Sequence, residues 1–165
     1  MEAIRINVNK PTTLNQIEDF LKSGPFVLYG VSKVKQKFGN TILKELIAKG
    51  FRIFPMYKNL EEIENIKCYK HLSELPEKVG AAIVCTKPEK TAVILEGLKA
   101  SGIKKIWLQQ GSANSGIYEK ALMDFDSVIY HKCILMFAIQ TGMHQFHARI
   151  LRFFGSFPKR AIPVK

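Results

Sequence analysis

The residues of this chain that could do chemistry are mostly lysines standing beside glycines and prolines. Phe26-Val-Leu-Tyr-Gly-Val-Ser-Lys-Val-Lys-Gln-Lys-Phe-Gly-Asn40 is an apolar run that stops at Gly30 and passes through Val31 and Ser32 into a loop carrying Lys33, Lys35 and Lys37. Four further stretches follow apolar runs in the same way: Pro55-Met56-Tyr57-Lys58, Thr86-Lys87-Pro88, Gln109 to Ser112 with Gly111 between, and His131-Lys132-Cys133. Four of the five carry lysine. A glycine turn after a buried strand lets backbone N–H groups and a helix N-terminus approach a phosphate, and lysine adds charge, so the chemistry these residues suit is recognition of an anionic ligand. Other chemistries have less support. Cys68, Cys85 and Cys133 form no C-x-x-C, no serine, histidine and acid are placed as a triad, and His144 and His147 with His131 lack a further ligand nearby, so no metal site and no catalytic residue is assigned.

The elements that must position these stretches can be read from pattern. Phe26–Tyr29, Phe51–Pro55, Val79–Cys85, Ile103–Leu108 and Ser127–Tyr130 are short apolar or β-branched runs, expected as strands, with Pro55 ending the second. Helices are expected between them. Asn40 or Thr41 caps one whose Ile42, Leu43, Leu46 and Ile47 recur at helical spacing up to Gly50; Pro88 opens another with Val93, Ile94, Leu95 and Leu98 on its buried side; a short one runs near Ile117–Met123. Before the first strand, Thr13 and Gln16 stand at capping-box spacing ahead of Ile17, Phe20 and Leu21, and residues 3–8 alternate weakly as a short edge strand or arm. Residues 56–75 are polar and expected as a long irregular connection with one short helical turn. Strict β-α alternation implies parallel strands joined by right-handed crossovers: an α/β, Rossmann-like, doubly wound, mainly parallel five-stranded sheet with helices on both faces.

In such sheets a ligand lies outside the carboxyl ends of the strands, where strand order reverses. The glycine turn departs from the dinucleotide fingerprint, because after Gly30 the next glycine is Gly39 and nothing reads G-x-G-x-x-G. A NAD site also wants an acid near the end of the second strand to hold the ribose 2′-hydroxyl, whereas this chain has Phe54-Pro-Met-Tyr-Lys58 and no carboxylate before Glu61. Lys58 suits a phosphorylated ribose instead. NAD is disfavoured; NADP and coenzyme A, each phosphorylated on the adenosine ribose, stay open.

The order of these motifs resembles a known family. Gly-Val-Ser, the basic loop and Phe-Gly-Asn; Gly-Phe-Arg-Ile-Phe-Pro; Tyr69-x-x-Leu72 with Leu75-Pro76; Trp107-x-Gln109-x-Gly111; and His-Lys-Cys are together similar to the small CoA-binding domain proteins, stand-alone relatives of the nucleotide-binding domain of the succinyl-CoA synthetase alpha subunit. The resemblance runs from about Pro25 to Cys133. It implies a coenzyme A site in which Gly30, Val31, Ser32 and the loop Phe38-Gly39-Asn40 lie near the pyrophosphate, with a lysine such as Lys33 where the family uses arginine. Pro55, Met56 and Lys58 would lie near adenosine and its 3′-phosphate, and Thr86, Lys87 and Pro88 with Gln109 and Gly111 would wall the crevice. Cys133 stands where the pantetheine thiol would approach. Relatives carry Pro-Val-Asn-Pro after the second strand, of which this chain keeps only Pro55. The implied function is binding of coenzyme A or an acyl-CoA without turnover, since the phosphorylated histidine and nucleotide-grasping partner of the synthetases lie outside this domain. Two alternatives on the same scaffold are an NADP-type oxidoreductase and a nucleotide-sensing regulator.

The totals set the frame. A chain of 165 residues, 47% apolar, is expected to form one domain with one good core. The formal net charge of +11 is uneven: residues 1–126 hold nineteen bases and all fourteen acids, whereas residues 127–165 hold six bases and no acid. From Ile139 the residues Met143, Phe146, Ile150 and Phe153 recur at helical spacing, so residues 134–165 are expected as a basic amphipathic helical extension that covers the sheet or contacts a second subunit or partner protein. No helix-turn-helix or zinc module supports nucleic-acid binding. Without a signal-peptide pattern, a run of 18 apolar residues or a disulfide framework, the expected setting is the cytoplasm.

Overall fold

Side chains alternate to opposite faces along a strand, and here both faces are apolar, so the strands can only lie between two layers of helix. The computed structural model describes residues 12–59 and 61–138. In chain order these form α1 (Leu14–Leu21), β1 (Phe26–Tyr29), α2 (Phe38–Ala48), β2 (Ile53–Met56), β3 (Glu62–Ile63), β4 (Ile66–Lys67), β5 (Ala81–Val84), α3 (Pro88–Ala100), β6 (Lys105–Gln109), α4 (Ser115–Asp124), β7 (Ser127–Lys132) and α5 (Leu135–Ala138). The main sheet has the order β2-β1-β5-β6-β7 with every pair parallel. The expected five-stranded, doubly wound α/β sheet is what forms.

One face carries Phe26, Leu28, Ile53, Ile83, Trp107 and Ile129, packed on Ile17 and Phe20 of α1 and on Ile42, Leu43 and Leu46 of α2. The other carries Val27, Met56, Ala82, Val84, Ile106, Leu108 and Val128, packed on Leu95 and Leu98 of α3 and Ala121 of α4. Trp107 anchors the first face: fully buried, it meets Phe20 edge-on with ring centroids 5.4 Å apart, and its Nε1 donates to the Lys132 carbonyl at 3.0 Å. Removing an indole of that size from water is worth on the order of 5 kcal/mol. α1 starts as its spacing predicts, with Gln16 N donating to Thr13 Oγ1 (3.2 Å) and Thr13 N to Gln16 Oε1 (3.0 Å).

Four expectations need correction. The second strand does not stop at its proline: Pro55 lies inside β2, paired with Leu28. β2 is the outer strand of the main sheet, and the Pro55 carbonyl points outward to accept from Tyr69 N (2.9 Å), so the missing N–H falls on the side away from β1 where the β1–β2 ladder needs no donor. The connection after β2 is not irregular throughout. β3 and β4 form an antiparallel hairpin turned by Glu64 and Asn65 at φ +48° and +65°, after which Tyr69 runs beside β2 and Leu72–Glu74 make the expected helical turn. Paired positive φ values define the tight hairpin turn, and Asn65 was its only usual sequence signal. α2 begins at Phe38, ahead of the cap expected at Asn40 or Thr41. Finally, Val93 is 73% exposed. The buried stripe of α3 is Thr91, Leu95 and Leu98, and a residue two places beyond Thr91 lies on the opposite side of the helix. The arm at 3–8, the amphipathic run from Ile139 and the histidines at 144 and 147 lie outside the described residues.

Candidate functional site

Strand order reverses between β1 and β5. From β1 the chain leaves through α2 to β2 on one side, and β5 returns on the other side of β1, so the loops after β1 and β5 diverge to opposite faces and leave a crevice between them. Two glycines shape its floor. Gly30 has φ +117°, and a Cβ built on it would lie 2.2 Å from the Cys85 carbonyl oxygen; one on Gly39 would lie 2.1 Å from the carbonyl oxygen of Gly30. The first turn of α2 is thus pressed against the tip of β1, and the tip of β1 against the tip of β5, as no residue with a side chain would allow.

Between the two glycines runs the lysine loop. Val31 is a core residue, so only its main chain can face the crevice. Ser32 is half-buried, whereas Lys33, Val34, Lys35 and Lys37 are exposed, as is Phe38. Asn40 is buried, with Oδ1 accepting from Ser32 N at 2.9 Å and Nδ2 donating to the carbonyls of Ser32 (2.8 Å) and Val34 (3.1 Å).

The loop after β5 is held from below by Thr91, a residue that sequence reasoning missed because threonine inside a helix usually reads as surface. Fully buried, its hydroxyl shares a 2.8 Å hydrogen bond with that of Thr86 and reaches the Lys87 carbonyl at 3.2 Å. Lys87 is the N-cap of α3 and Pro88 its first residue. Burial first, and Cys133 second, push the Cys85 thiol up to about 11, which keeps it protonated at neutral pH. Burial also pushes the Tyr29 hydroxyl at the end of β1 up to about 12, leaving it a hydrogen-bond donor.

At the tips of β6 and β7 the ladder slips by one residue, so that Leu108 pairs with Tyr130 but Gln109 with Lys132. His131 is the extra residue, at φ +56°, its ring 3.8 Å from that of Tyr130. This bulge, unannounced by the sequence, carries the chain over the end of β6: Gln109, 2% exposed, accepts from Ile134 N through Oε1 at 3.2 Å, and half-buried Cys133 lies between Lys132 and that bond. Gly111 turns the chain at φ +84° while Ser112 N and Oγ donate to the Gln109 carbonyl. At the tip of β2, Pro55 and Met56 are buried and Lys58 is exposed. The fold therefore gathers all the expected stretches at the carboxyl end of one sheet. Gly30, Gly39 and the Cys85 carbonyl meet directly, whereas the side chains of Val31 and Met56 belong to the core.

Lys33, Lys35, Lys37, Lys58, Lys87 and Lys132, the lysines of the strand tips, form no ion pair among the described residues, and in this they match Lys22, Lys49 and Lys104 elsewhere on the surface. Nor do the helices that begin beside the crevice receive ordinary caps. α1 and α4 are capped by Thr13 and Asn114 side chains; α2 and α3 start at Lys37 and Lys87 with no side-chain cap, and the first turn of α2 holds no acid while that of α3 holds Glu89. A cation at the positive end of a helix dipole costs roughly 0.3–1 kcal/mol when no anion is near.

Known proteins share this fold and parts of this sequence. A family model described as a CoA binding domain matches residues 25–138. The chain is 28% identical over 93 residues to an acetate–CoA ligase (ADP-forming) of Methanocaldococcus jannaschii and 26% identical over 94 residues to acetate–CoA ligase (ADP-forming) II of Archaeoglobus fulgidus. These matches take in 56% of this chain but only 13% and 14% of the ligases, so the chain corresponds to a small part of either. Among solved structures, a conserved hypothetical protein from Pyrococcus furiosus is similar with a TM-score of 0.62 and 32% identity, over 70% of this chain and 97% of that one. A hypothetical protein from Pyrococcus horikoshii shares the fold at a TM-score of 0.69 and 24% identity, over 92% of this chain and 99% of the other. With its glycine-floored crevice at the switch point and a family match over more than half its length, the chain belongs to the CoA-binding domain family.

Proposed function

We propose that this chain binds coenzyme A, free or acylated, in the crevice between the tips of β1 and β5, and holds it without turning it over. The observation that carries the reading is the start of α2: Lys37 in the cap position, no side-chain cap, no acid in the first turn, and Gly39 drawn against Gly30 so that the first N–H groups lie at the crevice. That arrangement is unfavourable in the empty protein and becomes favourable when a pyrophosphate supplies the missing charge and acceptors. Lys33, Lys35 and Lys87 add charge around it, and Lys58 at the end of β2 takes the 3′-phosphate. The absence of a carboxylate in Tyr57-Lys58-Asn59 argues against an adenosine ribose that carries no phosphate, as in NAD. Gln109, Gly111 and Cys133 border the far end, toward the thiol.

Thermal shift of the full chain against CoA, acetyl-CoA, NADP, NAD and ADP tests the reading, because a ligand of the folded state raises stability by mass action. CoA and acetyl-CoA should raise Tm at the lowest concentrations and NAD least. An equal response to NAD would sink the argument from the missing acid, and a preference for NADP would make the alternative of an NADP-type site the better reading.

A further inference from the structure

Asn40 stood in the sequence as a candidate ligand contact, yet its carboxamide has little left to offer one. It is 6% exposed, and both of its polar atoms are engaged by the loop that precedes it: Ser32 N donates to Oδ1, and Nδ2 donates to the Ser32 and Val34 carbonyls. The loop closes further on itself, with Val34 N donating to Ser32 Oγ (3.2 Å) and Lys37 N to the Val34 carbonyl (3.0 Å). The backbone from Ser32 to Lys37 is therefore wrapped around one buried side chain, while Lys33, Lys35 and Lys37 remain exposed.

We propose that Asn40 is the positioning residue of this site: it folds the lysine loop before any ligand arrives, so that an incoming polyphosphate meets cations already in place. The inference rests on the coenzyme A reading for the identity of the ligand, but not for the state of the empty loop. A loop ordered during folding takes its conformational entropy from folding, whereas one ordered by the ligand takes it from affinity. Three hydrogen bonds from a buried group, two of them donated to carbonyls, are a specification that few side chains can meet. Aspartate has the right shape, but as a carboxylate it accepts only and repels both carbonyls; protonated, it regains one donor.

The test has three arms. In hydrogen exchange on the ligand-free wild type, the Ser32 and Val34 amides should exchange at least tenfold more slowly than the same residues in an unstructured peptide; free exchange at both overturns the proposal without recourse to any variant. In limited trypsin digestion of the ligand-free proteins, Asn40→Asp should be cut after Lys33, Lys35 or Lys37 at least tenfold faster than wild type, and unchanged cutting again overturns it. In titration with CoA, Asn40→Asp should bind at least tenfold more weakly than wild type at pH 8, with the ratio closing as pH falls toward the range in which the new carboxyl protonates. Weaker binding with the loop still resistant to trypsin would mean that Asn40 touches the ligand directly and is no positioning residue. Should the wild type itself fail to bind CoA, the function proposed above falls, and the first two arms still decide for or against the preformed loop.

Discussion

Gly30→Ala is the substitution on which the geometry of the crevice makes its largest claim. Two costs add at this position. The backbone sits at φ +117°, outside every region comfortable for a residue with a side chain, which costs on the order of 1–3 kcal/mol. The new methyl would also lie 2.2 Å from the Cys85 carbonyl oxygen and 2.7 Å from its carbon. Those atoms cannot easily retreat, because Cys85 N donates to the Tyr29 carbonyl at 2.8 Å and so ties the two strand tips together at this point. Overpacking of this kind costs a further ~1–3 kcal/mol, so the total is about 2–6 kcal/mol, a large part of the ~5–15 kcal/mol that holds a domain together. Gly50→Ala is the internal control: φ is +83° but no atom lies within 4 Å of the new Cβ, leaving the backbone cost alone, about 1–2 kcal/mol. Urea unfolding of both variants measures the difference. At this chain length each kcal/mol moves Tm by roughly 2–4 °C, so the pair should separate clearly in a thermal scan. If Gly30→Ala proves no more destabilising than Gly50→Ala, the two strand tips are not pressed together and Gly30 does not form the crevice floor.

Other outcomes follow from the same structure. Gly97→Ala, inside α3 with no atom within 4 Å of the added methyl, should stabilise the protein by about 0.5–1 kcal/mol in the same unfolding assay; a loss would mean that this face of α3 is occupied. Lys58→Glu should weaken CoA far more than dephospho-CoA, and equal weakening would show that the 3′-phosphate lies elsewhere. With its thiol raised from 9.0 to about 11, Cys85 at pH 8 should hold about a hundredfold less thiolate than an ordinary cysteine and alkylate correspondingly slowly, which mass-resolved iodoacetamide labelling can check. The same shift fixes a sign for stability. Between pH 9 and 11 the folded state holds a proton that the unfolded state releases, so the Cys85 contribution falls as pH rises through that window and is intact below it; Cys85→Ser should flatten that part of the profile.

What could be read in advance was what depends on short-range pattern. Phe26–Tyr29 is apolar on both faces, Thr13 and Gln16 are spaced as a reciprocal cap, and glycine ends the first strand; each is a local rule, and the fold obeyed it. Alternation of strands and helices then gave the layer architecture, and the lysines fell at one end of the sheet because every crossover leaves from there. The misses lie where a distant element decides. Pro55 continues β2 because Tyr69 supplies an outer neighbour fourteen residues on, and the hairpin before it turns on Glu64 and Asn65 without a glycine. The bulge at His131 depends on how Gln109 and Trp107 reach across from β6, which no window of β7 contains. At the site, residue types were legible and hydrogen-bond partners were not: the Asn40 carboxamide bonds Ser32 and Val34, and the Thr86 hydroxyl bonds that of Thr91.

The uncapped, lysine-started crevice should take up the ligand that its family name describes. Isothermal titration calorimetry of the full chain with CoA, and with NAD at the same concentrations, asks this directly. Saturable binding of one CoA per chain, with no heat from NAD, is the predicted result. No saturable binding of CoA, or matched binding of NAD, would contradict it.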